Sequence, residues 1–458
     1  MRAVTGAGSA SPNPEGNVAA LFADLARRYG PQGSDLVWRQ FDRLSARFQG
    51  LDLVEVAGGQ DEEFSLRLAE GGQLRFVSAT SPEALAEAAR AAAAVSGGSL
   101  AVPPGAAPPG SLEDPADPSI RALTADEVVG LGQEILTRLE REAGRPGAVD
   151  AGAGRGVTLA LERDIVTTHY LSPRGSGRFT ATRLGVFLTV TVGEVTLGVE
   201  WERGRGMPDP AALARRAARG LECAAGPPAA LCLDGPVPVV LAGQAVAPVV
   251  AALLQAFNGR HVVERLSPMG QWLGQKGFSR CLSLYDDPAA DGVRGRLFDD
   301  EGVRCRRTSL ISDGVIAGFY FDRASAAMAG TRSTGHGIGA RGRPPEPRPT
   351  NVVIRAGTQS LRSLMEGLPL AMVAEHAIGD VSPGGDFGLV VERGYLAREG
   401  RAVGPVRGVE IRGNLYQALG AVRGLTRERE WVGGWLLTPA LCVEGLEILS
   451  AARGGWGE

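Results

Sequence analysis

An α+β fold is what this sequence predicts, and three observations carry the prediction. Val, Leu and Thr alternate with polar residues between Gly-rich turns in GVTLALERDIVTTHYLSPRG, RFTATRLGVFLTVTVG and EVTLGVEWERG, the pattern of an antiparallel meander. Helices with good caps stand between such runs, SPEALAEAARAAAAVS and TADEVVGLGQEILTRLEREAG among them. The chain has 458 residues, 44% of them hydrophobic, enough apolar material for real cores and too long for one ordinary core.

Residues 1–16 are small, polar and rich in Gly, Ser and Pro, and read as a disordered tail. An N-terminal αβ domain is expected over residues 17–98. VAALFADLARR has helical spacing, and DLVWRQFDRLSARFQG suits a strand or a helix. LDLVEVAGGQDEEFSLRLAEGGQLRFVSA reads as short strands separated by Gly turns. Ser81 caps the next helix and Pro82 takes its first position. Pro and Gly density marks 99–119 as a linker. A middle α+β domain follows over 120–226. Its first helix has Thr124 as N-cap and Glu127 three residues on, a capping box, the meander comes next, and PDPAALARRAARGLECA is a closing helix. Residues 227–458 are mostly short strands with Gly at the turns, with helices expected at 248–257, 360–366 and 414–421.

Composition removes some functions. The net charge of −3 gives no general reason to expect nucleic acid, whose phosphates call for a basic face. Lys276 is the sole lysine, so amine chemistry has one place to sit. The five cysteines are scattered, with no CxxC pair, which argues against a zinc ribbon and for reduced thiols. The N-terminus lacks the apolar core of a signal peptide, and no apolar run approaches the ~20 residues that span a bilayer. A cytoplasmic protein away from membranes is expected.

Few residues suggest chemistry. Asp286, Asp287, Asp291, Asp299, Asp300 and Glu301 cluster in sequence. They do not follow the alternate-position pattern of a calcium loop, and they read as turn residues. The histidines are His169, His261, His336 and His376, with no pair four residues apart. His336 lies in RSTGHGIGARGRPPEPRPTN, read as a surface loop because no P-loop lysine follows. Glu375 and His376 with Asp380 and Asp386 could be drawn as a carboxylate–His cluster, although sequence proximity supplies no convergent geometry. No G-x-S-x-G elbow occurs.

The second half carries an ordered set of phrases: LYDDP, FDDEGVRCRRTSLISDGVIAGFYFDRASAAMAG, STGHGIG, PRPTNVVIRAGTQSLRSLM, GGDFGLVVERGYLAREGRAVGPVRGVEIRGNL and TPALCVEGLEILS. Together they resemble the TldD/PmbA family, also called modulator-of-gyrase proteins. The signature positions here are Asp299, Asp300, Glu301 and Gly302 of FDDEG, Thr350 and Asn351 of PTN, and Gly413 with Asn414. The resemblance implies a C-terminal β-rich, barrel-like domain and a two-fold dimer enclosing a cavity where peptides are cut. TldD-type members carry HExxxH on a helix after a buried strand, and they bind zinc there. PmbA-type (TldE) members lack those ligands and partner a TldD-type chain.

Here the corresponding helix is APVVAALLQAFNG, which has no His, Glu, Asp or Cys. The zinc-ligand positions fall near Ala251, Ala252 and Ala256. The family's late Cys loop reads TREREWVGGWLLTPA, again without Cys. Gly388 stands where the family usually has Ser, and His336 where Asn is common. The resemblance therefore implies a PmbA/TldE-type, non-catalytic subunit. It would hold no cofactor itself, with zinc in an HExxxH-bearing partner subunit and a peptide as shared substrate. His336, Arg341, Asn351 and Phe387 are the loop positions expected to meet that peptide. Two alternatives stand beside this reading: an enzyme with a relocated site built from His336, His376 or the acidic turns, and a peptide-binding scaffold without activity.

Overall fold

Alternation between residues 33 and 70 produces long strands rather than short ones. The computed structural model describes residues 14–30, 33–70, 73–93, 99–100, 114–143, 155–192, 195–225, 237–339 and 342–450. Helix α1 (Pro14–Tyr29) starts inside the stretch expected as tail. Strand β1 (Gly33–Gln49) settles the strand-or-helix ambiguity, and β2 (Asp52–Glu70) pairs with it along its whole length. The short strands and Gly turn expected here are thus replaced by one strand of 19 residues. Gly58 and Gly59 lie inside it, opposite Leu44 and Arg43. Cross-strand pairing overrides the local turn preference of the two glycines.

Strands β3 (Gln73–Ala79), β4 (Ser99–Leu100), β5 (Arg155–Ser172), β6 (Gly175–Val192) and β7 (Val195–Arg203) complete a seven-stranded sheet in the order β4-β3-β2-β1-β5-β6-β7. Strand β1 pairs antiparallel with β5, Leu36 opposite Leu171. The segments expected as separate domains, 17–98 and 120–226, therefore share one sheet, and the boundary drawn at 99–119 does not divide it. Trp38, Phe64 and Leu66 pack under α1 and α2 (Pro82–Ala93), against Phe22, Leu25 and Leu85. After the short α3 (Pro118–Ala122), α4 (Ala125–Glu142) and α5 (Pro210–Ala225) cover Phe48, Leu161 and Val186 with Ile135, Leu136 and Leu213. Each fully buried large side chain contributes about 1.5–3 kcal/mol. The expected caps are present: the Ser81 hydroxyl accepts from the Ala84 N–H, and Thr124 and Glu127 form a reciprocal capping box.

The second lobe begins with β8 (Val239–Leu241), α6 (Ala247–Ala256) and α7 (Gly259–Val263). It continues through β9 (Leu284–Asp286), β10 (Thr308–Ser312), β11 (Val315–Ile316), α8 (Arg323–Met328), β12 (Gly337–Ile338), β13 (Glu346–Pro347), β14 (Val352–Ile354) and α9 (Leu361–Glu366). The last elements are β15 (Ala371–Val381), β16 (Asp386–Arg398), β17 (Arg401–Val406), β18 (Val409–Asn414), α10 (Leu415–Gly420), β19 (Val422–Val432), β20 (Leu436–Val443) and β21 (Glu447–Ser450). The three expected helices are there, with α7 and α8 in addition. Twelve strands form one sheet, whose main path runs from β11 to β21 without closing. The barrel-like shape implied by the resemblance is thus replaced by an open mixed sheet. Within it β8 runs parallel to β15 and antiparallel to β20, which buries Val239, Val240 and Leu241 and fixes where α6 begins. No helix among the described residues is long and apolar enough to cross a membrane.

Candidate functional site

Helix α6 leaves β8 through a short 3-10 turn and has Pro248 in its first turn, where a missing N–H costs nothing. Val249, Val250, Leu253, Leu254 and Ala256 are buried in the core of the second lobe. Ala251 is exposed, Ala252 half-buried and Ala256 buried, so the three positions do not share one open face. The last carbonyls of the helix are already taken. Tyr320 donates its hydroxyl to the Leu254 carbonyl at 2.9 Å, His261 Nδ1 donates to Gln255 O at 2.9 Å, and Ser267 Oγ donates to Ala256 O at 2.6 Å. Methyl groups and engaged carbonyls do not suit zinc, which takes imidazole, thiolate and carboxylate. The residues present here do not fit zinc.

The acidic turn 299–302 is buried, and its charges are spent on structure. Asp299 Oδ1 accepts from the N–H groups of Glu301 and Val303, and its Oδ2 accepts from Gly337 N–H at 2.8 Å. Asp300 accepts from Arg39 of β1 at 2.5 Å and from Gly339 N–H. Glu301 takes Arg67 of β2 at 3.0 Å and the Arg323 N–H at 2.7 Å. Arg67 also forks onto Asp35, which receives the Tyr170 hydroxyl at 3.0 Å. Gly302 has φ +73°, and a Cβ there would lie 2.5 Å from the Tyr170 ring, so only glycine fits. The FDDEG turn is therefore a buried ionic seam between the two lobes, with Arg216–Glu430 as a more exposed ion pair across the same boundary.

Burial and the neighbouring Glu301 push the Asp299 carboxyl well above its ordinary range. Burial also raises Glu301, although Arg67 pulls it down. At Asp300 burial is outweighed by Arg39 and Arg296, and its carboxyl is held low.

His336 corrects the sequence reading. It is not on a surface loop but is 1% exposed. Its Nε2 meets Asp286 Oδ2 at 3.0 Å and its Nδ1 meets Thr334 Oγ1 at 2.9 Å. Asp286 also accepts from the N–H and the hydroxyl of Thr350, each at 2.6 Å. Asn351 next to it accepts from Arg294 N–H at 3.0 Å and donates to Ala290 O. Polar residues at alternate positions in a Gly-rich loop read as solvent-facing, and the long-range partner Asp286 leaves no local signal.

The remaining candidates are dispersed. Phe387 is a core residue, and Gly413 makes room for it and for Leu446. Asn414 caps α10 through Tyr416 N–H and donates to Asp386 Oδ1 at 2.9 Å. His376 pairs with Glu392 at 2.8 Å, and Glu375 pairs with Arg393. The drawn cluster of Glu375, His376, Asp380 and Asp386 does not converge, and no group of three or more metal-ligating side chains occurs among the described residues. Arg341 lies outside the described residues. The sequence reading missed Arg39, Arg67, Asp35 and Tyr170 as partners of the acidic turn. An Arg between two buried leucines, in SLRLAE, was the available signal.

Residues 234–450 match the model of the PmbA/TldA metallopeptidase C-terminal domain. A metalloprotease of Synechocystis sp. is 30% identical over 161 residues, 35% of this chain and 35% of that protein. A metalloprotease TldD homolog of Haemophilus influenzae is 30% identical over 147 residues, 31% of this chain and 30% of that protein. The chain thus matches about a third of the length of these relatives. The crystal structure of TldE from Thermococcus kodakarensis superposes with a TM-score of 0.80 at 20% identity, over 95% of this chain and 99% of that one, which is a likeness of fold. The domain match spans α6, the FDDEG turn and the His336 loop, so residues 234–450 match the C-terminal domain of the TldD/PmbA family.

Proposed function

We propose that this chain is the non-catalytic subunit of a cytoplasmic, heterodimeric zinc metallopeptidase that acts on peptides or unfolded segments. One observation carries the reading: α6, where the family's zinc helix belongs, offers Ala251, Ala252 and Ala256 in place of ligands. The chain then completes the chamber, holds the peptide and stabilises an HExxxH-bearing partner that supplies the zinc. A relocated site is disfavoured because His336 and the acidic turn are committed to internal partners on several sides.

The test is a purified preparation assayed for bound metal by mass spectrometry and for cleavage of unfolded casein, with and without the HExxxH-bearing chain of the same genome. The chain alone is expected to bind no stoichiometric divalent metal and to cut nothing. The mixture is expected to form a one-to-one complex that cleaves. Chelator-sensitive cleavage by the chain alone sinks the proposal.

A further inference from the structure

Strand β3 pairs with β2 only from Phe64 opposite Ala79 to Glu70 opposite Gln73. The chain then turns into α2. Upstream of Phe64, β2 continues for residues 52–63 with β1 on one side. Among the described residues nothing pairs with its other side. Residues 51–61 are all exposed, and Leu53, Val54 and Val56 are 43%, 63% and 44% accessible. A free edge of this kind presents N–H and C=O groups at every second residue, a template for extended backbone.

The empty lane opens onto a groove. Where β3 departs, Glu63, Ser78 and Thr80 face Ala84, Glu87 and Ala88 of α2. Glu63 is 8% exposed, and its Oε1 is buried without a hydrogen-bond partner. The cation beside it, Arg39, stands 3.7 Å away and is engaged by Asp300. A buried carboxylate oxygen with no donor is costly, and a donor that reached it would recover that cost. The alanines of α2 leave width for a long side chain. From residue 52 to 63 the strand has no Lys or Arg; β1 pairs Glu55 with Arg47, Asp61 with Arg43 and Glu62 with Gln40, so the charge left for a ligand is at Glu63 and Glu87 of the groove.

We propose that the free edge of β2 takes up an extended peptide by strand addition over residues 52–62, and that the groove at Glu63 and Glu87 receives an Arg or Lys side chain of that peptide. The proposal rests on the peptide-holding role above, and it adds the place and the side-chain preference. A second copy is the poorer occupant, because the same edge strand has no Lys or Arg between residues 52 and 63 to place against Glu63 and Glu87.

The test uses the full chain and fluorescence anisotropy of a labelled peptide of alternating Thr and Val with one Arg. The Arg peptide is expected to bind at least about tenfold tighter than the same peptide with Glu in place of Arg. N-methylation of alternate amides should weaken it by about tenfold or more, because it removes the donors of a strand. Glu63→Gln and Glu87→Gln should each weaken the Arg peptide several-fold and leave the Glu peptide unchanged. Glu87 is on the surface, so its variant keeps the test sound if Glu63→Gln does not fold. Equal affinity for the two peptides, or indifference to N-methylation, overturns the proposal. A concentration-dependent dimer that the peptide does not dissociate assigns the edge to a second copy and also overturns it. No zinc, partner or turnover enters this assay, so its failure leaves the subunit reading intact. Cleavage of the peptide by this chain alone would sink that reading without touching the binding result.

Discussion

Helix α6 and the acidic turn 299–302 are opposites. The helix has no titratable side chain, yet it lies where the sequence resemblance puts the zinc helix of TldD-type chains. The turn has three carboxylates in a row, yet each is consumed by Arg39, Arg67, Arg323 or backbone N–H groups. The density of ionisable residues is therefore a poor guide to chemistry in this molecule. What separates the two is whether the polar atoms have partners inside the fold. Buried carboxylates tied to guanidinium groups across a lobe boundary position domains. Their oxygens already face donors inside the fold.

The contrast can be broken by placing a charge where the helix has none. Leu253 is 1% exposed, and Leu253→Asp buries an unpaired carboxylate at a cost of several kcal/mol. Against a total stability of about 5–15 kcal/mol, soluble yield and thermal midpoint should collapse. Gln255, exposed on the same helix, is the control, and Gln255→Ala should stay within about 0.5 kcal/mol. A wild-type melt for Leu253→Asp would mean that the helix is not core.

The opposite operation removes a charge from the seam. Arg67→Ala strands Asp35 and Glu301, and breaking such a buried pair costs about 3–5 kcal/mol. Denaturant unfolding measures it. A loss under about 1 kcal/mol would show the seam to be hydrated and weak. The larger loss would mark it as the joint between lobes.

A smaller effect comes from a buried group that stays neutral. His169 stacks on Trp38 with centroids 4.3 Å apart, and burial lowers its pKa to about 4. In the unfolded chain an imidazole titrates near 6.5. The native state therefore binds fewer protons between those values. Its contribution is full above pH 6.5 and is lost as pH falls from 6.5 to about 4, by up to ~3 kcal/mol. His169→Gln should flatten the dependence of the thermal midpoint on pH across that window. An unchanged slope would place the charge change elsewhere.

Local signals were readable wherever the physics was local. The Thr124–Glu127 box, the Ser81 cap and the apolar face of α6 follow from spacings of three or four residues. Long-range pairing was not readable. Nothing near Gly58 and Gly59 says that Arg43 and Leu44 lie across from them, so a turn looked natural. His336 sits in a loop of Gly and polar residues, and its partner Asp286 is fifty positions away. The ligand-poor helix was legible because it needed only the residue types. The use of Asp300 and Glu301 was not, because Arg39 and Arg67 belong to the other lobe.

The pairing of β1 with β5 also bears on how the protein is made. Leu36 leaves the ribosome long before its partner Leu171. At roughly 5–20 residues per second the wait lasts about 7 to 27 s. During it, β1, β2 and β3 can pair under α1 and α2, but the side of β1 that β5 will take is bare, as is the outer side of β2 upstream of Phe64. The nascent chain then offers two sticky borders to its neighbours on the same message. A burst of synthesis should strain chaperone capacity at this stage, before the second lobe has been translated.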